Sequence, residues 1–314
     1  MQEKRILITG GLGQVGSYIC EALAGTKSRV TILDNFSSSL SYRCPGVEVV
    51  RGDIRDRKTV KRLVRDADVV IHCAAQIYVS RSIEDPAFDA DNNVMGTLNL
   101  LDAARDSDLG RFVYFSSAAI YGNTIDLPVD EDHPQDPMSP YGISKLSGEK
   151  YALAFHKVYG LPTTAIRPFN IYSPRQDPSN PYSGVISKFI DRVAGGLRPI
   201  IFGDGRATRD FVSVHDVVDM VMLLTEKEDA VGRVFNCGTG EPTRIDTLAH
   251  MIAGLYGRED LVLELKPARP GDILHSYADI TRAGKLLGFR PKVCLEDGIR
   301  EIVKSKTAVN RAPL

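Results

Sequence analysis

Two side chains able to act as an acid/base pair lie four residues apart near the middle of this sequence. Tyr141 and Lys145 belong to the segment SPYGISK at 139–145. If that segment is helical, both side chains lie on one face, with Cβ atoms about 5–6 Å apart. A nearby ammonium favours tyrosinate, so a phenol with a reference pKa of about 10 could exchange a proton nearer neutral pH. The pair therefore suits proton transfer to or from an alcohol or ketone. The same spacing is also common on ordinary helix surfaces.

A glycine-rich turn follows the first apolar run of the chain. The run Arg5–Thr9 predicts a buried strand. A helical pattern follows the turn, so free backbone N–H groups and the helix dipole would meet there and hold a dinucleotide pyrophosphate. The residues of this predicted site are Gly10, Gly13, Gln14, Val15 and Gly16.

An acidic residue ends the second predicted strand. Asp34 closes the run RVTILD at 29–34. A carboxylate at this place accepts hydrogen bonds from an adenosine 2′-hydroxyl and repels a 2′-phosphate, so the sequence favours NAD over NADP. The alternative is a structural glycine turn with a solvent-exposed Asp.

Strand and helix patterns continue to alternate as far as Arg167. Further apolar runs lie at 47–50, 69–75, 111–117 and 163–167. The alternation predicts an α/β protein with a Rossmann-type doubly wound parallel sheet. Beyond Arg167 the alternation loosens, and four prolines fall between 168 and 181. We therefore predict a Rossmann domain at 1–167 plus roughly 211–238, and a smaller, interleaved C-terminal domain at 168–210 and 239–314.

The carboxyl ends of parallel strands face the ligand crevice of such a sheet. The residues that this position predicts along the cofactor are Asp53, Ile54, Ala74, Ala75 and Gln76. Ser117 ends the next strand, where its hydroxyl could reach a substrate oxygen. His72 lies inside an apolar strand, and we predict a hydrogen-bonded core histidine rather than a catalyst.

Composition excludes several other classes of protein. The 314 residues are 43% hydrophobic with a net charge of −1, which argues against recruitment by nucleic acid or an anionic membrane. No apolar stretch reaches the ~18 residues of a membrane span. The five cysteines are odd in number and lack metal-ligand spacing, so we expect neither disulfides nor zinc, and a reducing, cytoplasmic location.

Ten motifs in a consistent order resemble the extended short-chain dehydrogenase/reductase family, in its UDP-glucose 4-epimerase group. They are TGGLGQVG (9–16), LDNFS (33–37), GDI (52–54), HCAA (72–75), NVMGT (93–97), SSAAIYG (116–122), Tyr141-x-x-x-Lys145, RPFNIY (167–172), GDGRATRDF (203–211) and RPGD (269–272). The resemblance covers nearly the whole chain, and the order of the motifs is more specific than any one of them.

The resemblance implies tightly bound NAD and a UDP-hexose substrate. Tyr141 would remove the proton of the sugar 4-hydroxyl, Lys145 would lower the Tyr141 pKa and bond the nicotinamide ribose, and Ser117 would share the proton relay. The sugar would turn over as a 4-keto intermediate before the hydride returns. The resemblance adds Asn35, Ser37 and Asn93 to the cofactor site. It places Ser117, Tyr141, Asn170, Ile201, Phe202, Arg209, Arg269, Asp272 and Ser276 at the substrate. Taken singly, each of these arginines would be read as a surface ion-pair residue.

Two departures refine this expectation. Ala118 and Ala119 follow Ser117, where 4,6-dehydratases and decarboxylases of the family carry an acid; this favours plain epimerisation. Ser276 is small where a bulky residue would exclude 2-acetamido sugars, so UDP-N-acetylhexosamines are also expected to fit.

Other functions stay open at this level. One is a dTDP- or GDP-sugar epimerase or a 4-keto reductase, although Asp34 argues against an NADPH-dependent reductase. Another is a non-catalytic dinucleotide-binding protein or an RNA-binding relative, against which the Ser117, Tyr141 and Lys145 set argues. The resemblance also implies a homodimer formed through a four-helix bundle of the helices at 93–105 and 141–159.

Overall fold

The computed structural model describes residues 3–37, 42, 44–176, 184–268 and 272–309. Arg269, which the sequence analysis places at the substrate, lies outside these residues.

One parallel sheet of seven strands dominates the described chain. In spatial order its strands are β11 (Val234–Cys237), β6 (Thr163–Pro168), β5 (Arg111–Phe115), β4 (Val69–His72), β1 (Arg5–Thr9), β2 (Arg29–Asp34) and β3 (Glu48–Arg51). Strand order reverses between β1 and β4, which opens a ligand crevice beyond their carboxyl ends. The Rossmann-type fold predicted from the sequence is confirmed.

Helices cover both faces of this sheet. On one face lie α1 (Gln14–Ala24), α8 (Val214–Glu226) and α10 (Thr281–Leu287); on the other lie α2 (Arg57–Arg65), α5 (Gly96–Arg105) and α6 (Pro140–Tyr159). In α2, Val60 and Val64 are buried while the arginines and lysines stay outside, as expected of an amphipathic helix. The sheet is thus buried on both faces, which explains its continuous apolar strands.

Short helices connect β4 to α5. They are α3 (Val79–Glu84), α4 (Pro86–Ala90) and a π-helical turn (Asp91–Met95) that continues directly into α5. A 3₁₀ turn (Ala118–Ile120) follows β5, and another (Glu228–Ala230) precedes β11. π-helical turns are rare and frequently lie at functional sites.

A smaller unit with its own apolar core is built from the chain after β6. Its elements are β7 (Asn170–Tyr172), α7 (Val185–Ala194), β8 (Ile200–Phe202), β9 (Thr208–Arg209), β10 (Phe211–Ser213), β12 (Thr243–Arg244), α9 (Ile245–Leu255), β13 (Glu264–Lys266), β14 (His275–Ser276) and α11 (Leu295–Val309). Its core joins side chains of α7, α9 and α11, among them Phe189, Leu248 and Ile302.

The chain returns to the large sheet a few residues later than the sequence predicts. We place that return at about 211, but β10 pairs in parallel with β7 rather than with the large sheet. The helix α8 then packs against α1, and β11 pairs with β6. Because β10 is only three residues long, its sequence pattern is too short to predict which sheet it joins.

The cysteine prediction is wrong at one pair. The structure joins Cys20 of α1 and Cys44 in a disulfide, with Cα atoms 6.8 Å apart. Cys44 packs against the core beside α1, a long-range contact that spacing along the chain does not reveal. The cysteine content therefore no longer argues for a reducing compartment. Among the described helices, none is both long and apolar enough to cross a membrane.

Candidate active site

The glycine turn passes close to the neighbouring strand at the crevice. Gly10 has φ +66°, and a Cβ there would lie 2.8 Å from backbone atoms of Ala74. A Cβ on Gly16 would lie 2.2 Å from the Gly10 carbonyl oxygen. Only glycine fits these two positions, so the backbone can approach a ligand closely. The Gly10 N–H donates to the Leu33 carbonyl, and the N–H groups left for a ligand are those of the first turn of α1.

The first turn of α1 fits an anionic ligand. Gly13 is the N-cap without a side-chain cap, and the turn contains no acidic residue. Gln14 adds a buried side-chain Nε2 with no hydrogen-bond partner among the described residues. A buried donor of this kind costs free energy unless a ligand satisfies it. Helix dipole, open N–H groups and this amide match a dinucleotide pyrophosphate. Val15 follows in the same turn, partly buried against the core beneath.

The carboxylate of Asp34 lies beside this turn. It accepts hydrogen bonds from Leu12 N (3.0 Å) and Phe36 N (2.8 Å), at the carboxyl end of β2. Asn35 follows and accepts a bond from Ser37 N at 3.0 Å. Fixed in this way, the acid stands where an adenosine ribose is expected.

Asp53 and Ile54, two of the residues predicted along the cofactor, differ in their surroundings. Asp53 pairs with Arg55 at 2.9 Å and accepts a bond from Asn35 Nδ2 at 3.0 Å. Hydrogen bonding to Arg55 lowers the pKa of Asp53 to about 2. Ile54 is buried against Gly96, where a Cβ would lie 2.4 Å from its Cδ1 atom.

Gln76 and Asn93 hold each other rather than projecting freely into the crevice. Gln76 N donates to Asn93 Oδ1 (2.8 Å), and Asn93 Nδ2 donates to Gln76 O (2.9 Å). Asp89 completes the group, accepting from Gln76 Nε2 at 2.7 Å. Asp89 is fully buried, and its second oxygen has no hydrogen-bond partner among the described residues. The sequence analysis missed Asp89, because an acid in a short helix carries no signal of burial. Ala74 and Ala75 precede Gln76 and are partly exposed to the crevice.

The predicted acid/base pair stands at the start of α6. Ser139 caps the helix through Gly142 N, and Pro140 occupies its first turn. Ser82 of α3 accepts a bond from Tyr141 N at 3.0 Å, which ties the start of α6 to its neighbour. Tyr141 and Lys145 therefore share one face of a regular helix, as predicted.

Burial sets the proton affinities of this pair. Burial raises the pKa of Tyr141, and a hydrogen bond with Ser117 partly opposes that rise. The lowered Tyr141 pKa that the sequence predicts is therefore not found. Lys145 is only 4% exposed, and burial lowers its pKa to about 8 against the opposing effects of Cys73, Asp89 and Glu149. The site contains a lysine that exchanges its proton near neutral pH.

A buried ion pair anchors the middle of α6 to the sheet. Arg167 Nη2 lies 2.6 Å from Glu149 Oε1, and Arg167 Nε lies 2.9 Å from Glu149 Oε2. Arg167 Nη1 also donates to the Tyr121 hydroxyl at 2.8 Å. This bidentate pair fixes the helix one turn beyond Lys145. The motifs contain Arg167 and Tyr121, but the sequence analysis assigned them no role.

His72 is a core histidine, as predicted. Its Nδ1 lies 2.8 Å from Thr9 Oγ1 and its Nε2 lies 2.9 Å from Thr97 Oγ1. Because the Thr97 hydroxyl donates to Asn93 O, its oxygen accepts from His72 Nε2–H. Burial lowers the pKa of His72 to about 3, so the ring stays neutral.

The predicted substrate residues of the smaller unit form a second group. Ser276 pairs with Arg209 in the β14–β9 register. Burial lowers the pKa of Arg209, whereas the charge of Asp272 opposes that shift, so guanidinium and carboxylate are neighbours. The Asn170 backbone N donates to Asp210 O, beside Arg209. Of the two β8 residues predicted at the substrate, Ile201 is buried and Phe202 is 39% exposed.

A shared apolar cluster connects the two groups. It contains Ile120 from the turn after Ser117, Phe169 before Asn170, and Ala278 just beyond Ser276. The bridge between Val129 and Ala278 joins the proline-rich loop at 127–140 to the same place. Residues from both parts of the chain thus pack together in one cluster.

Fold and site together define a dinucleotide-binding protein of the short-chain dehydrogenase/reductase type. The model of the NAD dependent epimerase/dehydratase family matches residues 6–238, and the chain belongs to that family. The family is NAD-dependent, and the unpaired Gln14 amide and the glycine turn fit NAD as the cofactor.

Several known proteins resemble the chain over nearly its full length. A putative UDP-glucose 4-epimerase from Methanocaldococcus jannaschii is 41% identical, covering 98% of this chain and 99% of its own. The Thermotoga maritima UDP-glucose 4-epimerase, solved with UDP-glucose, is 36% identical with a TM-score of 0.93, covering 98% and 100%. A UDP-N-acetylglucosamine 4-epimerase from Methanobrevibacter ruminantium is 34% identical with a TM-score of 0.92 and the same coverage. A dTDP-glucose 4,6-dehydratase from Streptomyces niveus is 33% identical, covering 96% and 92%.

Proposed function

We propose that this chain interconverts UDP-glucose and UDP-galactose by inverting C4 of the sugar. One observation carries the proposal: Tyr141 contacts Ser117 and shares a helical face with Lys145, which faces Cys73 at the end of β4, beside the glycine turn. Relatives named as UDP-sugar 4-epimerases support it.

Each residue of the triad has a defined task. The Tyr141 phenol exchanges the proton of the sugar 4-hydroxyl, and Ser117, already bonded to that phenol, holds the same oxygen. When Lys145 is protonated, it supplies a buried positive charge that favours the tyrosinate form of Tyr141. The glycine turn and Gln14 would hold NAD, which would supply the hydride acceptor and donor for C4 of the sugar.

The smaller unit would hold the nucleotide while the sugar turns over. We assign the diphosphate to Asn170, Arg209 and Arg269, because guanidinium groups match phosphate geometry. Asp272 would bind the uridine ribose, while Ile201 and Phe202 would border the uracil. Partial burial of Arg209 favours an anionic ligand, which would compensate the cost of burying its charge.

Residue identities at two positions narrow the reaction and substrate. Ala118 and Ala119 offer no acid beside Ser117, which favours epimerisation over dehydration. Ser276, paired with Arg209, leaves room for a 2-acetamido group, so UDP-N-acetylhexosamines are further candidates. A dTDP- or GDP-sugar epimerase is the alternative.

The test is to incubate the purified protein with UDP-galactose, without added cofactor, and to measure UDP-glucose. We expect conversion, with Tyr141→Phe losing nearly all turnover while still binding NAD and UDP-sugar. Tyr151→Phe, on the exposed side of the same helix, is the matched control and should stay active. Undiminished turnover in Tyr141→Phe would remove Tyr141 as the acid/base. If the protein does not convert UDP-galactose but converts another nucleotide sugar, the assignment of a uridine nucleotide is wrong.

We also propose a homodimer through α5 and α6. Exposed apolar side chains lie along α6, at Ile143, Tyr151 and Val158, and Met95 is exposed just before α5. Two such faces would form a four-helix bundle and bury these side chains. Sedimentation velocity should give a dimer; a monomer at micromolar concentration would contradict this.

A further inference from the structure

The ammonium group of Lys145 lies over an aromatic ring that the proposed reaction does not use. Lys145 Nζ is 4.7 Å from the centroid of the Tyr114 ring. Tyr114 belongs to β5, an interior strand of the large sheet, and is fully buried. A cation at this distance from a ring face is attracted by the quadrupole of the ring, most strongly where water is excluded.

The surrounding backbone holds the ring in place. The Tyr114 hydroxyl donates to the Lys145 carbonyl oxygen at 3.1 Å. The same hydroxyl fits against Gly148, where a Cβ would lie only 2.2 Å from its oxygen. The phenol is thus fixed at one end by the helix that carries Lys145, and the ring has little freedom to turn away.

We propose that Tyr114 is a positioning residue for Lys145, with its ring face stabilising the buried ammonium and holding it at the active site. The inference deepens the proposed function, because that function depends on the charge of Lys145. A merely structural role would require only that the side chain fill the core and satisfy its hydroxyl.

Burial makes such stabilisation necessary. Lys145 is almost completely removed from water, and this lowers its pKa to about 8. The charged or titratable groups that face it are Cys73 after β4, Asp89 of α4, Glu149 of α6 and neutral His72 of β4. Tyr141 lies one helical turn before it on the same face of α6. Glu149 is already paired with Arg167. The ring therefore adds an attraction that introduces no further charge beside the phenol of Tyr141.

The sign of the effect follows from this geometry. The ring stabilises the charged form of Lys145, so weakening the ring must lower the pKa of Lys145 further. Loss of a desolvated cation–π contact corresponds to a fall of about one pKa unit. The fraction of charged lysine at pH 8 would then fall several-fold.

The experiment follows the Lys145 titration directly in NAD-saturated protein. Lysine carrying ¹³C at its ε-carbon gives an NMR signal for each lysine, and the Lys145 signal is assigned by its loss in Lys145→Arg. Tyr114→Phe keeps the ring and should titrate within about 0.3 units of the wild type. Trifluorophenylalanine at position 114 keeps an aromatic ring of similar shape but removes most of its quadrupole, and should lower the Lys145 midpoint by about one unit. Tyr114→Leu should do the same.

Controls separate this effect from general damage to the core. Phe112→Leu truncates another buried ring on the same strand and should leave the Lys145 midpoint unchanged. If Tyr114→Leu does not fold, the fluorinated ring still answers the question. Equal midpoints for phenylalanine and trifluorophenylalanine would overturn the proposal. The titration is measured without sugar, so its outcome does not depend on epimerase activity. If the Lys145 midpoint shifts as expected but the protein does not epimerise UDP-sugars, the proposed function is wrong and this inference stands.

Discussion

Acidification should destabilise this protein through His72. The imidazole is 2% exposed, and burial holds its pKa near 3, whereas an unfolded histidine titrates near 6.5. Below pH 6.5 the unfolded state binds a proton that the folded state does not accept until about pH 3. The contribution of neutral His72 to stability is therefore fully present above pH 6.5 and is lost as the pH falls from 6.5 towards 3.

The magnitude follows from the two pKa values. Between pH 7 and pH 5 the unfolded imidazole takes up nearly one proton over about 1.5 pH units, which corresponds to about 2 kcal/mol of unfolding free energy. The lowered pKa of Asp53, about 2, affects stability only at lower pH, and that of Lys145, about 8, only at higher pH. Burial raises the pKa of Glu131 and of Asp216, but these carboxyl groups are present in both wild type and His72→Asn. The difference between the two proteins therefore isolates the imidazole.

Urea denaturation at pH 7 and pH 5, with NAD held at one concentration, measures the effect. Between pH 7 and pH 5 the unfolding free energy of the wild type should fall by about 2 kcal/mol more than that of His72→Asn. This difference does not depend on how much the substitution destabilises the protein at pH 7. His250→Asn, which replaces an exposed histidine of α9, should keep the wild-type difference. Identical pH dependence in wild type and His72→Asn would refute the reasoning, because it would mean that the buried imidazole titrates normally.

Two further predictions concern the support of α6. Glu149→Gln should lower the unfolding free energy by about 3–5 kcal/mol in urea denaturation, because it leaves the Arg167 guanidinium buried without its carboxylate. A loss below about 1 kcal/mol would show that the pair is solvated. Gly148→Ala should cost about 1–3 kcal/mol, because its Cβ would meet the Tyr114 hydroxyl. Tyr114→Phe removes that oxygen and should recover part of the loss in a double-mutant cycle; equal cost in both backgrounds would contradict the contact.

Sequence patterns predicted the fold and the glycine turn well, because both depend on local signals. Apolar runs separated by helical patterns predicted the order of strands, and Gly10 and Gly16 marked the turn where the backbone has no room for a Cβ. The sequence could equally place Tyr141 and Lys145 on one helical face, because that depends only on their spacing.

The environment of the site could not be predicted, because it depends on contacts between distant segments. Asp89 and Tyr114 look like an ordinary helix residue and an ordinary strand residue, yet both lie buried around Lys145. Burial also reverses the expected direction of the Tyr141 pKa. The disulfide of Cys20 joins segments 24 residues apart. None of these features has a periodic or local signature.

Transfer of deuterium within the sugar tests the central claim most directly. UDP-galactose labelled with deuterium at C4 would be incubated with the protein in ordinary water, and the UDP-glucose product analysed by mass spectrometry and NMR. We expect the product to keep deuterium at C4, because the hydride leaves and returns within one closed site. Product that carries solvent hydrogen at C4, or none formed from any UDP-hexose, would contradict it.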